Sequence, residues 1–260
     1  QIKSIAAKLF EKWKVYFMEK KYYQVIIVGA GPAGALCAYK LANLDISVLL
    51  IEKENLPRQK RCGGALSLKS EELIDFDISE VIANRVNKIN VNYNNEKITY
   101  NSKTPFINLV NRNEFDKFLT VSACNEGVDL CEGEKVKKIK EEKNRVSVIT
   151  SKNIYFSQYV IGADGSLSTV AKNFNLNQNQ KKSITYSCDL LTFKEKLPVD
   201  NIILDLDVIP GGYGWIFPKE DRLSVGIGEV SDNESDFKKI FDKFLKKYNL
   251  SNYNYVDQPG

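Results

Sequence analysis

The segment that most constrains the fold is a glycine-rich turn between an apolar strand and a helix. Val25-Ile26-Ile27-Val28 is a continuous β-branched run, as expected of a parallel strand buried on both faces. It leads into Gly29-Ala30-Gly31-Pro32-Ala33-Gly34, which fits the pattern G-x-G-x-x-G, and then into a predicted helix over 31–44. A second buried strand is predicted over 46–51. This order predicts a βαβ unit in an α/β fold.

The glycine-rich turn also predicts a ligand. Its first glycine permits a tight turn, its second lets the backbone approach a pyrophosphate, and its third lets helix and strand pack closely. Free N–H groups at the helix start then face the phosphates. Glu52 ends the second strand, 18 residues after Gly34, where a carboxylate can bind an adenosine ribose. The predicted dinucleotide-binding residues are Gly29, Gly31, Pro32, Ala33, Gly34 and Glu52.

Composition excludes several classes of enzyme. The chain has no histidine, which excludes Ser-His-Asp and Cys-His triads, His-bearing metal sites and any imidazole base, and we expect no metal site. The net charge of +4 is too small to indicate an anionic partner by itself, and we expect no nucleic-acid binding. The five cysteines are scattered and lack C-x-x-C spacing, which favours a reducing, cytoplasmic environment.

The first seventeen residues have two interpretations. Apolar residues at helical spacing alternate with four lysines and one glutamate, so this extension predicts a basic amphipathic helix. Such a helix can lie on an anionic membrane surface as a peripheral contact. Alternatively, Met18 is the natural start and residues 1–17 are a non-native remnant. Most of the net positive charge lies in this extension.

Further elements are predicted along the chain. A hairpin over 89–100 turns on Asn94-Asn95. The other predicted elements are helices over 68–73, 113–125 and 234–248, a short helix from Ser168, strands over 135–141, 145–151 and 158–162, and alternating strands over 183–230. The mixture predicts one nucleotide-binding domain with a β-rich partner inserted through it.

Two later motifs resemble those of a known group of flavoproteins. Tyr159-Val160-Ile161-Gly162-Ala163-Asp164-Gly165-Ser166-Leu167-Ser168 is similar to the strand and Asp-Gly motif of the glutathione-reductase-like flavoproteins, in the branch that contains the aromatic hydroxylases. Arg112-Asn113-Glu114-Phe115-Asp116-x-x-Leu119 resembles the arginine-containing helix start of the same branch. The resemblance implies that the dinucleotide is FAD and that Arg112, Asp164 and Gly165 contact it.

An aromatic strand is the most specific segment in the second half of the chain. Within Pro210-Gly211-Gly212-Tyr213-Gly214-Trp215-Ile216-Phe217-Pro218-Lys219, three aromatic residues recur at period two and share one face. Gly211, Gly212 and Gly214 are expected to leave the opposite face almost bare. Such a wall suits a long apolar substrate, although the same spacing also fits rings that are simply core.

Two segments resemble the geranylgeranyl reductase family of FAD-dependent oxidoreductases. One is Y-x-W-x-F-P followed by Val225-Gly226-Ile227-Gly228, and the other is the loop Pro57-Arg58-Gln59-Lys60-Arg61-Cys62-Gly63-Gly64. This family saturates C=C bonds of geranylgeranyl chains in lipids, prenyl diphosphates and chlorophyll precursors. The resemblance implies a prenyl lipid or prenyl diphosphate substrate.

The resemblance also implies a fold and a set of site residues. The expected fold is a Rossmann-like FAD-binding domain (18–75 and 105–178) with an inserted antiparallel β-rich substrate domain (76–104 and 179–260). Additional residues expected at the cofactor are Lys53, Arg58, Cys62, Gly63 and Gly64. Cys62, Tyr213 and Trp215 are the catalytic candidates, and the residues expected to line a prenyl pocket are Tyr213, Trp215, Phe217 and Pro218.

Several points stay open from the sequence. With one G-x-G-x-x-G, the electron donor is either transiently docked NAD(P)H or a ferredoxin, and the proton comes from water, Tyr213 or Cys62. The related branch carries a later Gly-Asp step that this sequence lacks, so we expect the chain to end before that motif, with an incomplete substrate domain.

The alternative functions are an FAD-dependent monooxygenase and a non-catalytic FAD or prenyl-lipid binder. An electron-transfer flavoprotein would need an iron–sulfur cysteine spacing that is lacking here.

Overall fold

A computed structural model describes residues 22–176, 181, 183–192, 201–230 and 236–256. The predicted helix over residues 1–17 lies outside these residues. Within them the strands are β1 Tyr22–Val28, β2 Val48–Ile51, β3 Ala65–Ser67, β4 Ile82–Val86, β5 Lys88–Tyr93, β6 Glu96–Asn101, β7 Ile107–Val110, β8 Asp129–Cys131, β9 Val136–Glu142, β10 Arg145–Thr150, β11 Ile154–Gly162, β12 Ser183–Leu191, β13 Ile202–Asp205, β14 Gly212–Pro218 and β15 Arg222–Val230.

The helices are fewer and mostly short. In chain order they are α1 Pro32–Ala42, α2 Leu68–Glu71, α3 Arg112–Asn125, α4 Thr169–Asn173 and α5 Phe237–Lys247, with one 3₁₀ turn at Ser79–Val81. The Ser168 side chain accepts a hydrogen bond from the Ala171 N–H and so caps α4. Asp236 caps α5 in the same way through the Lys239 N–H.

The described residues form two compact units. The first consists of those up to Arg58 and from Asp116 to Gln178, and the second of those from Gln59 to Phe115 and from Asn179 onward. The domain boundaries predicted after residues 75 and 104 fall inside the second unit. This difference arises because β3, β7 and β4 pair with one another in a three-stranded sheet that belongs wholly to the second unit.

The first unit is built on a mixed six-stranded sheet with the order β8-β2-β1-β11-β10-β9. Its first four strands are parallel, and β10 is antiparallel to both of its neighbours, β11 and β9. Ile26 and Val28 of β1 pack into an apolar cluster on one face, and Val25 and Ile27 pack into another that includes Ala38 of α1. Because both faces are covered, β1 is a continuous apolar run, as the sequence predicted.

The second unit is built on a six-stranded sheet with the order β12-β15-β14-β13-β5-β6. All neighbours are antiparallel except β13 and β5, which are parallel. The predicted hairpin is β5–β6, and Asn94 and Asn95 at its turn have φ values of +52° and +62°. Two consecutive left-handed residues are what a tight two-residue hairpin requires, and asparagine tolerates this conformation well.

Helix α5 covers one face of the second sheet. Phe241, Phe244 and Leu245 are buried in a cluster with alternate residues of β15 such as Val225 and Ile227. A Cβ atom placed on Gly214 would lie 2.8 Å from the Phe244 ring. The expectation that the glycine side of the aromatic strand is almost bare is therefore wrong, because α5 packs against that side and Gly214 leaves room for its ring.

We expect Phe244→Ala to destabilise the second unit by about 3–5 kcal/mol, the usual cost of truncating a buried Phe. Phe244 is fully packed between α5 and the sheet. The free energy of unfolding from urea denaturation would test this. Lys243→Ala, on the exposed side of the same helix, is the control and should change stability by less than about 0.5 kcal/mol. Equal effects of the two variants would contradict the packing described here.

Candidate functional site

The glycine-rich turn of the first unit forms an uncapped helix start. Gly31 is the residue before α1 and Pro32 its first residue. Among the described residues no side chain caps this end, and the first turn carries no acidic residue. Because the first backbone N–H groups of a helix have no partner within it, this end favours an anion such as a phosphate. Ala33, in the first turn of this helix, is exposed.

Gly29 and Gly34 allow the backbone of the glycine-rich turn to approach neighbouring backbone closely. Gly29 has a φ of +101°, and a Cβ placed on it would lie 2.5 Å from the Ala163 carbonyl oxygen of the strand-end loop after β11. A Cβ on Gly34 would overlap the Gly29 carbonyl oxygen. The turn, the helix and the end of β11 therefore approach so closely that only glycine fits at these two positions.

Glu52 is buried and connects three parts of the first unit. It is 3% exposed, and its Oε2 atom accepts a hydrogen bond of 2.9 Å from the Ala30 N–H inside the glycine-rich turn. The Arg58 Nε atom lies 3.5 Å from the same oxygen, and the Arg58 Nη1 atom lies 3.0 Å from Oδ2 of the buried Asp116 in α3. The predicted cofactor residues Glu52 and Arg58 thus lie together, whereas Lys53 is exposed and pairs with Glu54 at 3.4 Å.

Asp164 lies at the carboxyl end of β11, beside the glycine-rich turn. Its carboxylate accepts hydrogen bonds from the Ser168 hydroxyl at 2.5 Å and from the Thr169 N–H at 2.6 Å. Asp164 therefore orders the start of α4. Gly165 follows with a φ of +80°, and a Cβ placed on it would have no atom within 4 Å, so the loop beyond Asp164 is open. Both predicted residues directly follow Ala163, whose carbonyl oxygen approaches Gly29 of the glycine-rich turn. They therefore lie near the uncapped start of α1.

In the second unit, one face of the sheet carries a row of aromatic side chains on β14, with small or polar residues on the two neighbouring strands. Tyr213, Trp215 and Phe217 lie side by side on β14, with ring centroids 6.0 and 6.3 Å apart. Opposite them on β15 are Gly228, Gly226 and Ser224, and the next residues across, on β12, are Thr185, Ser187 and Asp189. The shared face predicted for the three aromatic residues is present.

The three rings differ in exposure. Tyr213 is 45% exposed, whereas Trp215 is only 6% exposed, and Phe217 is intermediate. A Cβ on Gly226 would overlap the Trp215 ring, so the indole lies flat over β15. The buried Trp215 Nε1 donor has no hydrogen-bond acceptor among the described residues. Trp215 is thus largely core, and Tyr213 is the ring that a ligand can reach.

The loop that carries Cys62 packs on this aromatic row. A Cβ on Gly63 would lie 2.6 Å from the Phe217 ring and 3.2 Å from the Trp215 Nε1 atom. Gly64 has a φ of +77°, and a Cβ there would overlap the Val110 carbonyl oxygen. Cys62 itself is exposed. Pro218, at the end of the aromatic strand, is buried, and its carbonyl oxygen accepts a hydrogen bond of 2.8 Å from the Asn84 side chain.

Lys219 is a residue of this region that sequence reasoning missed. It follows Pro218 in the turn between β14 and β15 and is 1% exposed. Burial lowers the pKa of its ammonium group, and the neighbouring Arg222 guanidinium lowers it further, while Asp189 opposes this effect. A lysine after a proline in a turn is normally exposed, so no local signal predicts its burial. Asp116 was also missed, although it stands inside the quoted Arg112 motif.

The predicted site residues therefore form two clusters, one in each unit. The first holds Gly29, Gly31, Pro32, Ala33, Gly34, Glu52, Arg58, Asp164 and Gly165. The second holds Cys62, Gly63, Gly64, Arg112, Tyr213, Trp215, Phe217 and Pro218. Four parallel strands with a glycine-rich turn, an uncapped helix start and a strand-end carboxylate are typical of a dinucleotide-binding α/β protein, here with a second, β-rich unit.

Comparison with known families narrows this class. The FAD binding domain family matches residues 22–209, and the geranylgeranyl reductase catalytic domain matches residues 182–257. The chain therefore belongs to the FAD binding domain family, and the last part of it is similar to the geranylgeranyl reductase catalytic domain. The expected fold class, an FAD-binding α/β fold with a β-rich portion, is confirmed.

Individual relatives are similar to most of this chain. An uncharacterized protein of Methanosarcina barkeri is 33% identical over 88% of this chain and 60% of its own length. Digeranylgeranylglycerophospholipid reductase of Methanococcus vannielii is 28% identical, covering 86% of this chain and 59% of the relative. The chloroplastic geranylgeranyl diphosphate reductase of Nicotiana tabacum is 29% identical, covering 84% of this chain and 50% of the relative. The chain thus spans about half to three fifths of these relatives.

Solved structures show the same fold. A geranylgeranyl bacteriochlorophyll reductase-like protein from Thermoplasma acidophilum superposes with a TM-score of 0.79 at 25% identity, covering 92% of this chain and 66% of that one. The halogenase PltM, solved with phloroglucinol and FAD, superposes with a TM-score of 0.73 at 17% identity, over 92% of this chain and 59% of its own, a likeness of fold alone.

Within the described residues, no helix is long and apolar enough to cross a membrane.

We expect Gly34→Ala to impair the first unit, because the added methyl group overlaps the Gly29 carbonyl oxygen, and backbone cannot move as a side chain can. The expected cost is about 1–3 kcal/mol of stability, with weaker binding of FAD. Thermal unfolding and the flavin absorbance of the purified protein would measure both. Leu44→Ala, at a residue that follows α1 and is 70% exposed, is the control and should leave stability and flavin unchanged. A Gly34→Ala variant that retains full stability and flavin would contradict the close approach.

Lys219 should give the protein a pH-dependent stability. Since its pKa is lower in the folded state, the unfolded chain binds more protons between the folded value and the ordinary lysine value of about 10.4. Folding stability relative to a Lys219→Met variant should therefore rise as the pH increases toward about 10.4. Urea denaturation from pH 7 to pH 10 would measure this difference. Lys238 is an exposed lysine of α5, and the stability difference between the wild type and Lys238→Met should not change with pH.

Proposed function

We propose that this protein is an FAD-dependent oxidoreductase that reduces C=C bonds of geranylgeranyl or polyprenyl chains. The observation that carries the proposal is the aromatic row of β14, with Tyr213 half exposed, inside the region that matches the geranylgeranyl reductase catalytic domain. The names of the relatives support it, since two of them are reductases of geranylgeranyl-bearing molecules. The substrate is accordingly a prenyl lipid or a prenyl diphosphate.

The first unit fits the dinucleotide part of FAD. The uncapped start of α1 would hold the pyrophosphate, and Glu52 would hold the adenosine ribose, from a position fixed by the Ala30 N–H and Arg58. Asp164 and Gly165 would border the next part of the cofactor, where the loop after β11 is open.

The second unit carries the groups that we expect to contact the flavin ring and the prenyl chain. Reduced FAD, when bound, supplies the hydride that C=C saturation needs. The loop from Cys62 to Gly64, which packs on the aromatic row and carries the exposed Cys62, would contact the flavin or the substrate. Tyr213 and Phe217 would hold an apolar chain and exclude water. Cys62 and Tyr213 remain the protein's candidates for the proton donor, and the electron donor is either NAD(P)H or a ferredoxin.

Anaerobic turnover tests the reaction itself. The FAD-loaded protein is incubated with dithionite and geranylgeranyl lipids or geranylgeranyl diphosphate, and products are followed by mass spectrometry. The proposal expects mass gains of two hydrogens per reduced bond. The absence of any hydrogenated product would overturn it. Oxygen consumption with a hydroxylated product, using NAD(P)H in air, would instead establish the monooxygenase alternative.

Tyr213→Ala separates substrate binding from cofactor binding. Because Tyr213 is half exposed while its neighbour Trp215 is buried, removing the Tyr213 ring should spare the fold. We expect roughly a tenfold loss in kcat/KM for prenyl substrates, equal to about 1.4 kcal/mol, with an unchanged flavin spectrum. Tyr93→Ala, an exposed tyrosine on β5, is the matched control. Loss of flavin from Tyr213→Ala would show that the ring is structural.

A further inference from the structure

The sheet of the second unit ends in an open edge strand, β6. It is the last strand in the sheet order, and among the described residues it pairs with β5 alone. Every residue of Glu96–Asn101 is exposed, including Ile98 at 63% and Tyr100 at 58%. The other edge strand, β12, is covered near its end, where the Leu191 N–H donates a hydrogen bond to the Asn254 carbonyl oxygen. An exposed edge with apolar side chains is a template for pairing with a further strand.

The turn between β5 and β6 decides which backbone groups of β6 point outward. In a two-residue turn the flanking residues, here Tyr93 and Glu96, form a hydrogen-bonded pair. Hydrogen-bonded and non-hydrogen-bonded pairs then alternate along an antiparallel ladder. The register of β5 and β6 therefore places Lys97, Thr99 and Asn101 in non-hydrogen-bonded pairs, so their N–H and C=O groups point away from β5.

A contact on the far side of β5 agrees with this alternation. Asn92 is the partner of Lys97 in the ladder, and its carbonyl oxygen accepts a hydrogen bond of 2.9 Å from the Leu206 N–H, just after β13. The Asn92 backbone thus points toward β13 and away from β6. Among the described residues, no hydrogen bond engages the outward backbone groups of Lys97, Thr99 or Asn101. Each of the three offers one donor and one acceptor to a further strand.

The outward groups of β6 match those of a second copy of the same strand. A closed dimer has a two-fold axis, which pairs a strand with its own copy in antiparallel fashion. With Thr99 on the axis, the two Thr99 residues form one hydrogen-bonded pair, and Lys97 pairs with Asn101 of the second copy on either side. All three outward residues are then engaged. With Ile98 on the axis Asn101 would be left out, and with Lys97 on the axis two like charges would face each other.

The side chains that meet in this register also fit. Ile98 lies opposite Tyr100 of the second copy, and the symmetry repeats this contact. A β-branched side chain beside an aromatic ring stabilises a strand pair, and side chains approach most closely in non-hydrogen-bonded pairs. The Tyr100 ring is already held edge-on by Phe106, with centroids 5.3 Å apart. Neither Glu96 nor Lys97 lies directly opposite a like charge.

We propose that the protein forms a two-fold dimer through β6, with Thr99 on the axis. The pairing joins the six-stranded sheets of the two copies into one continuous sheet. The register across each sheet puts Ile98 in one row with three residues of the aromatic face, namely Val91, Leu204 and Trp215. Because the axis is perpendicular to the sheet, the aromatic rows of both copies lie on the same face. The dimer depends on neither a bound cofactor nor a substrate.

Cysteine crosslinking tests the position of the axis. In a Cys62→Ser background, which removes the exposed native cysteine, Thr99→Cys should form a disulfide-linked dimer on mild oxidation. Opposed residues of a hydrogen-bonded pair have Cα atoms about 5.5 Å apart, within the range of about 4.4–6.8 Å that a disulfide spans. Lys97→Cys is the matched control, since the two copies of Lys97 would lie about 14 Å apart and should not crosslink. Non-reducing gel electrophoresis gives the result, and crosslinking through Lys97→Cys, or through Ile98→Cys in place of Thr99→Cys, overturns the proposal.

Solution mass tests the dimer itself. Sedimentation equilibrium of the wild type at concentrations up to about 0.1 mM should show a monomer–dimer equilibrium. Thr99→Glu places two carboxylates opposite each other on the axis and should weaken the dimer by about tenfold or more. Ile184→Glu, at a residue of the other edge strand β12 that is 48% exposed, is the control and should dimerise as the wild type does.

A proline variant separates loss of the dimer from loss of the fold. Thr99→Pro removes the outward N–H and spares the ladder to β5, because an edge strand accepts proline where its N–H faces solvent. It should unfold at a temperature close to that of the wild type and be monomeric. A wild type that stays monomeric at about 0.1 mM overturns the proposal and leaves the edge open to a strand of another protein. A dimer that persists in both folded Thr99 variants overturns it as well.

Discussion

The buried carboxylate of Glu52 is the interaction on which the first unit depends. One of its oxygens accepts a hydrogen bond from the Ala30 N–H in the glycine-rich turn and faces the Arg58 guanidinium, which also pairs with Asp116 in α3. Since unpaired charges are costly away from water, these three side chains stabilise the unit only as a set. The end of β2, the turn before α1 and the helix α3 are thereby held in one arrangement, and it is this arrangement that presents the uncapped helix start.

The second unit depends on the two faces of its sheet having different partners. Apolar residues such as Val225 and Ile227 of β15 face α5, whereas Gly226 and Gly228 lie on the other face beside the aromatic row of β14. Bare positions on β15 let the Trp215 ring lie flat across that strand, and Gly63 lets the loop with Cys62 pack on top. Small residues thus permit close packing of large rings on this face, while Tyr213 remains accessible.

Local patterns predicted the elements that local forces determine. The apolar run of β1, the glycine-rich turn, the asparagine turn between β5 and β6 and the helix α5 could all be predicted from short stretches of the sequence. The expected bare side of β14 was wrong because Phe244, thirty positions after Gly214, packs there. The pairing of Arg58 with Asp116 escaped prediction for the same reason, since the two residues are distant in the chain.

By itself, the sequence determined that the protein is an FAD-binding α/β protein, because close backbone approach to a dinucleotide requires glycines at fixed spacing and the FAD binding domain family matches residues 22–209. The absence of histidine and the aromatic strand narrowed the chemistry further. Only the tertiary structure decided which of the three rings is core and which is open, and that Lys219 is buried. Burial depends on which distant elements cover a side chain, and neither periodicity nor residue type contains that information.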